Sequence, residues 1–292
     1  MAEPSFRIAV IGGGGQLGTS LRELAANGAF SHSFVFAERS KVDLTRPETF
    51  ELFLNENPSD ILINAAAYTA VDQAEKESET ANQVNSKGVG ILSNLCARKN
   101  IFLVHISTDY VFDGRKSAPY NEDDVANPIN VYGKSKWEGE EAVRRSGVKG
   151  LILRTAWLHS PHGKNFVKTI LRLARERGEL RVVNDQFGTP TSAHSLALAV
   201  LRALPILKEK VSAVETFHLT DEGSASWYDF AAEIIGLSGI PAKVHPIPTS
   251  DYPTPAPRPA NTVLSKKKWK SWTGQALPDW KEELAYVKDL TR

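Results

Sequence analysis

The chain has 292 residues, enough for one large domain or two modest ones. Hydrophobic residues make up 41% and charged residues 24%, the balance of an ordinary soluble globular protein. Lys plus Arg total 35 against 34 for Asp plus Glu, so no basic excess points to nucleic acid or an anionic membrane, and any anion site is local.

Cys96 is the single cysteine, which excludes an intrachain disulfide and suits a reducing compartment. It sits in an apolar helical pattern and reads as a core residue. The stretch Met1 to Arg7 lacks the apolar run of a secretory leader. No segment reaches the roughly 20 apolar residues needed to span a bilayer. The expected location is cytoplasmic.

In chain order, Phe6 to Ile11 reads as a short, apolar, buried strand. A glycine cluster, Gly12 to Gly15, follows it. A helical pattern then runs from Gln16 to about Asn27, with Gly28 as its stop. Phe34 to Ala37 reads as a second strand, Pro47 to Asn55 as a helix and Asp60 to Asn64 as a third strand. One long helix is expected over Glu75 to Lys99, a fourth strand over Ile101 to Ile106, a helix over Asn130 to Arg145 and another strand over Gly150 to Arg154. Strands and helices alternate at short intervals. The pattern predicts βαβ units in a doubly wound parallel sheet, the Rossmann class of α/β fold.

Beyond Arg154 the regularity weakens. Helices are expected over Phe166 to Arg177, Ser192 to Leu204 and Ser226 to Leu237, with Ser226 as an N-cap. Short strands are expected at Leu180 to Val183 and Thr216 to Leu219. Seven prolines hold Pro241 to Pro259 extended or turning. Pro278 to Leu290 reads as a final helix. These elements suggest a smaller α/β lobe over the carboxyl edge of the sheet.

Gly12, Gly15 and Gly18 lie between a strand and a helix in G-x-x-G-x-x-G spacing. Glycine lets the backbone approach a phosphate closely, and the helix N-terminus offers free N–H groups to a pyrophosphate. After the second strand, Glu38 would bond an adenosine ribose, whereas Arg39 would hold a 2′-phosphate, so NADH and NADPH both stay open. Asp43 and Leu44 follow beside the adenine position. Asn64 to Thr69 ends the third strand in small residues suited to lying against a cofactor.

Tyr132 and Lys136 are four apart on one face of an expected helix. Reducing a ketone needs a proton for the developing alkoxide. A tyrosine beside an ammonium has a lowered pKa and can supply it. Lys134 points away from that face. Ser107 and Thr108 end the fourth strand with hydroxyls placed to bond a substrate carbonyl. His105 is expected to pack within the strand.

These motifs, with Asn64 to Asp72 and Ser107 to Gly114, resemble the extended short-chain dehydrogenase/reductases. More narrowly they resemble the dTDP-4-dehydrorhamnose reductase family, and Arg154 to Trp157, Gly163 to Phe166, Asp185 to Thr191 and Arg258-Pro259 continue the likeness. The resemblance implies hydride transfer from NAD(P)H to a nucleotide-linked 4-keto sugar. It implies Tyr132 as proton donor, with Lys136 and Thr108 completing the catalytic set. Gly12, Gly15, Gln16, Leu17, Glu38, Arg39, Asp43, Leu44, Ala67, Tyr68, Thr69, Tyr132 and Lys136 would bind the cofactor. Thr108, Asp109, Trp157, Asn165, Gln186 and Arg258 would bind the sugar nucleotide, although Trp157 and Phe187 read equally as core. Residues 1–155 with 190–218 would form the NAD(P)-binding domain, and 156–189 with 219–292 the nucleotide-sugar lobe.

His194-Ser195 departs from the family, which usually shows an acidic residue near Ser195. Some members bind Mg2+ through glutamates at a dimer contact, but no carboxylate cluster here has ligand spacing, so no metal is assigned. The expected partner is the small-molecule substrate, with neither nucleic acid nor membrane, and the chain is expected to be a monomer or homodimer. The first half also resembles the non-catalytic regulatory β subunit of methionine adenosyltransferase. A reductase or epimerase of another nucleotide sugar is a further alternative, since fold alone does not decide function.

Overall fold

The computed structural model describes residues 5–28 and 30–290. Residues 1–4, part of the stretch read for a leader, lie outside the described residues, as do 29, 291 and 292.

The apolar run Arg7–Ile11 forms β1, and all but its first residue are buried. It is followed by α1 (Gln16–Ala26), β2 (Ser33–Ala37), α2 (Pro47–Glu56) and β3 (Ile61–Asn64). Two short helical segments, α3 (Val71–Ala74) and α4 (Ser78–Asn82), lead through a π-helical turn at Gln83–Lys87 into α5 (Gly88–Arg98). Next come β4 (Phe102–Thr108), α6 (Val131–Arg145) and β5 (Gly150–Thr155). The second half supplies β6 (Leu158–His159), α7 (Phe166–Arg177), β7 (Glu179–Val183), β8 (Phe187–Gly188), β9 (Thr191–Ser192), α8 (Ala193–Lys210) and β10 (Val214–His218). It ends with β11 (Ala225–Ser226), α9 (Trp227–Ser238), β12 (Lys243–Ile247) and α10 (Lys267–Thr273).

The main sheet runs β10-β5-β4-β3-β1-β2, and every neighbouring pair is parallel. Parallel neighbours need crossover helices, which cover both faces and make the strands apolar throughout. Leu17 and Leu21 of α1 pack with Leu196 and Leu204 of α8 on one face. Phe50, Phe53, Leu92, Cys96 and Val143 cover the other. The doubly wound expectation holds. Strand order reverses between β1 and β3, where such sheets open a crevice at their carboxyl ends. The Cys96 thiol lies deep in the second face, and burial pushes its pKa up to about 12.

The lobe has its own apolar core. Val167 and Ile170 of α7, Phe230 and Ile234 of α9, and Trp280 meet there. β7 and β12 pair in parallel beneath them. Ser226 caps α9 as expected, in a reciprocal capping box with Asp229. No described helix is long and apolar enough to cross a membrane.

Three expectations are corrected. The single helix expected over Glu75 to Lys99 begins only at Ser78 and then runs without a break to Arg98, widening into a π-helical turn at Gln83–Lys87. Its π-helical turn swings Asn85 inward, where its side chain accepts from Tyr68 N and donates to the Tyr68 carbonyl and Ser135 Oγ. The final helix is instead a 3-10 segment, Glu282–Lys288. Leu284 and Val287, three apart, are both buried, and that spacing eclipses on a 3-10 helix. Finally, α10 appears in a lysine-rich stretch that carried no expected element. Its Trp269 is the bulkiest wholly buried side chain described and packs edge-on against Phe217. Trp269→Ala is expected to cost about 3–5 kcal/mol, read as a lower urea midpoint with an unchanged slope. An unchanged midpoint would show that α10 does not close this face.

Candidate active site

Gly12 turns the chain after β1 at φ +82°, and a Cβ there would lie 2.7 Å from Ala66 N. Only glycine meets both conditions without strain. Gly15 caps α1 with no side-chain acceptor, and the first turn carries no acidic residue. The N–H groups and the positive end of the helix dipole are therefore left for an external anion. A cleft of about 380 Å³ opens over this turn. Gly12, Gly14 and Gly15 form its floor, with Glu38, Arg39, Asp43 and Leu44 on one wall and Ala65 to Tyr68 on the other. Arg39 pairs with Asp43 at 3.5 Å, and Glu38 lies 4.0 Å from Arg22. The turn, the free helix end and the facing walls fit a dinucleotide.

Other expected cofactor residues stand apart from these walls. The Leu17 side chain is in the core, so it can offer only its amide. Thr69 is exposed beyond Tyr68. Gln16 turns toward the lobe: its Nε2 donates to Leu158 O, and its Oε1 accepts from Ser160 Oγ and Asn165 Nδ2. Asn165 also caps α7 and donates to Ser160 O, placing it at the junction of the two halves.

At the end of β4, α6 comes unusually close to its neighbours. A Cβ at Gly133 would lie 2.1 Å from Tyr110 O, and one at Gly139 would lie 2.0 Å from Asn85 O. The Asn130 side chain caps the helix by accepting from Gly133 N. Tyr132 and Lys136 share one face, whereas Lys134 is exposed. Lys136 is buried and donates to Ile106 O at 2.7 Å. Burial pulls its ammonium down to about 8, against the opposing field of Glu140. Tyr132 lies within the influence of the Thr108 hydroxyl, which itself donates to Asp109, and meets Tyr110 edge-on at 5.9 Å.

Burial pushes Tyr132 up to about 12, with Thr108 pulling the other way. The expected lowering by the ammonium is not seen, and desolvation is the largest influence on Tyr132. Asp109 is buried beside them, and burial raises it to about 6 against the Thr262 and Thr108 hydroxyls. Its Oδ2 has no hydrogen-bond partner. Ser107 is corrected: its hydroxyl donates to Glu140 at 2.6 Å, away from any substrate. His105 packs within the strand, against Asn64.

A second cleft, about 830 Å³, opens into the lobe between Asp72, Phe166, Gln186, Trp227, Tyr252 and Arg258. Gln186 donates to Thr249 Oγ1 at 3.0 Å. Arg258 pairs with Asp72 at 2.9 Å and donates to Ala256 O. Trp157 takes a left-handed φ of +46° and stacks on Trp227, ring centroids 3.4 Å apart, so Trp227 is the ring shown to the cleft. Phe187 is exposed. Tyr110 feels the charges of Asp109, Arg258 and Asp72 and lies against Tyr132, which joins Tyr132, Lys136 and Thr108 to this cleft. Among the described residues, no group of three or more His, Cys, Asp or Glu could hold a metal.

A family model described as the RmlD substrate binding domain matches residues 6–291. The chain belongs to the RmlD family. The dTDP-4-dehydrorhamnose reductase of Burkholderia thailandensis is 43% identical, over 98% of this chain and 99% of that protein. The Escherichia coli K12 protein of the same name is 40% identical over 94% of each. The Bacillus anthracis dTDP-4-dehydrorhamnose reductase, solved in complex with NADP, superposes with a TM-score of 0.91 at 33% identity, covering 99% of this chain and 100% of that one. A UDP-galactose 4-epimerase at 17% identity and TM-score 0.80 shares the fold.

Within this RmlD-family chain, Asp72, Glu140 and Trp227 help build the site and were not singled out from sequence. Glu140 carried a usable signal, lying four residues beyond Lys136 on the same face. Asp72 closes the Asn64 to Asp72 motif but had no role read for it, and Trp227 carried no signal, because only folding brings them to the cleft. Gln16→Ala removes three bonds across the junction and is expected to cost about 1–3 kcal/mol, read as a lower Tm together with weaker cofactor binding. An unchanged Tm would show that Gln16 does not tie the halves together.

Proposed function

We propose that this protein reduces dTDP-4-dehydro-L-rhamnose to dTDP-L-rhamnose, taking hydride from NADPH or NADH. The observation that carries the reading is the Tyr132, Lys136 and Thr108 cluster, set between a dinucleotide cleft and a lobe cleft in a full-length RmlD-family chain. Its relatives of the same name span the same length.

The nicotinamide, when bound, supplies the hydride to C4 of the sugar. Tyr132 gives its hydroxyl proton to the C4 oxygen. Thr108 bonds the same oxygen and keeps Tyr132 aimed at it. Lys136 holds the nicotinamide ribose, and its charge favours the phenolate that Tyr132 leaves behind. Gly12, Gly15 and the amides of Gln16 and Leu17 take the pyrophosphate, with Asp43, Leu44, Ala67, Tyr68 and Thr69 around the adenosine end. Glu38 suits a ribose hydroxyl and Arg39 a 2′-phosphate, so the site accepts either cofactor. Asp109 and Gln186 contact the sugar nucleotide. Trp157 acts through the Trp227 ring, and Asn165 steadies the junction. Arg258 offers its fork to the diphosphate, exchanging Asp72 for phosphate oxygens.

In this reading 1–155 with 190–218 bind the cofactor, and 156–189 with 219–292 bind the sugar nucleotide. One chain supplies all these groups, so a monomer or a homodimer would work. A cytoplasmic location suits a reductase fed by NAD(P)H. Cofactor oxidation with dTDP-4-dehydro-L-rhamnose is the direct assay. Tyr132→Phe is expected to lower kcat by about 10²- to 10⁴-fold with little change in Tm. Normal turnover by this variant would sink the proton-donor role.

A further inference from the structure

We propose that Glu140 is a positioning residue of this reductase, holding Lys136 in the cationic form that grips the cofactor ribose. The inference rests on the functional reading above. Tyr132, Lys136 and Glu140 follow one another at i, i+4 and i+8, so they form one stripe along α6. Glu140 is wholly buried. Its Oε1 accepts from Ser107 Oγ at 2.6 Å and Arg154 Nε at 2.9 Å. Its Oε2 accepts from an Arg154 terminal nitrogen at 2.8 Å and an Arg144 terminal nitrogen at 3.0 Å. Burial would raise the Glu140 carboxyl, but Arg154 above all, with Arg144 and Ser107, holds it below the usual carboxylate range. It is therefore a fixed negative charge inside the protein.

A buried Glu–Arg pair alone could be a mere staple between α6 and β5. The surroundings of Lys136 give the charge a second task. From α6, Tyr132 and Glu140 face it. β4 contributes His105, which burial and Lys136 keep neutral. The turn after β4 contributes buried Asp109 and Tyr110, committed to Thr108 and Tyr132. β5 contributes Arg154, and Arg144 stands behind it. On the α3–α5 side, Glu75 accepts from Val131 N, Glu138 accepts from Asn82, and Lys87 pairs with Glu79. Glu140 is the charge that opposes the loss of the Lys136 proton. Without it, the desolvation that lowers the Lys136 ammonium would stand unopposed.

The test is the pH dependence of kcat for Glu140→Gln and Arg144→Met, between about pH 6 and 10. The parent should lose activity as pH rises through about 8, where Lys136 gives up its proton. Glu140→Gln keeps acceptor and shape but removes the charge, so its alkaline limb should move down by about one pH unit or more. Arg144→Met removes an opposing positive charge from a half-exposed position, so its limb should move up. Lost packing alone would not shift the two variants in opposite directions. Limbs that stay with the parent, or that move together, overturn the proposal. If Glu140→Gln does not fold, the sign of the Arg144→Met shift decides. If the parent shows no turnover, the functional reading fails. Cofactor Kd against pH in the same three proteins then tests Glu140 by itself, with the same directions expected.

Discussion

The closeness of α6 to the end of β4 governs this site. Two glycines permit it. With a side chain at Gly133 or Gly139, the helix would have to retreat from Tyr110 and Asn85. Lys136 would then lose the Ile106 carbonyl, and Tyr132 would move off the end of β4. Glycine inside a helix costs about 1 kcal/mol relative to alanine. Here that cost is offset by the Asn130 cap and by the Glu140–Arg154 pair, which fasten the helix at both ends of its working face.

Burial then sets the chemistry. Lys136 is drawn down to about 8 and Asp109 up to about 6, so two groups of opposite type approach neutrality from either side. Proton transfer works best between groups poised near the ambient pH. The same desolvation drives Tyr132 upward. In the proposed reaction a phenolate forms there, and a cation beside it would ease that charge.

Much of the fold was legible because its signals are local. Buried parallel strands are continuous apolar runs, and β1, β3, β4 and β5 lie where those runs lie. α7 matches its expected span because Asn165 starts it and left-handed Gly178 stops it. The Tyr132–Lys136 spacing and the glycine turn were legible for the same reason. The misses came from contacts distant in sequence. A π-helical turn within the long helix lets Asn85 reach Tyr68 and Ser135. Glu140 takes its place only through Arg154, which reaches it from the next strand. Gln16 sits in the phosphate turn, yet its side chain answers to a loop more than a hundred residues away. Trp157 was read as either core or sugar contact, and stacking on Trp227 puts it behind the cleft wall.

The depth of Cys96 has a practical side. A thiol reacts as its thiolate, and one held near 12 by apolar surroundings has almost none at neutral pH. The folded protein should therefore ignore thiol reagents until the face packed by α2 and α5 opens. The native cysteine thus serves as a built-in clock for the unfolding of that face. A new surface cysteine elsewhere could carry a label without first removing the old one.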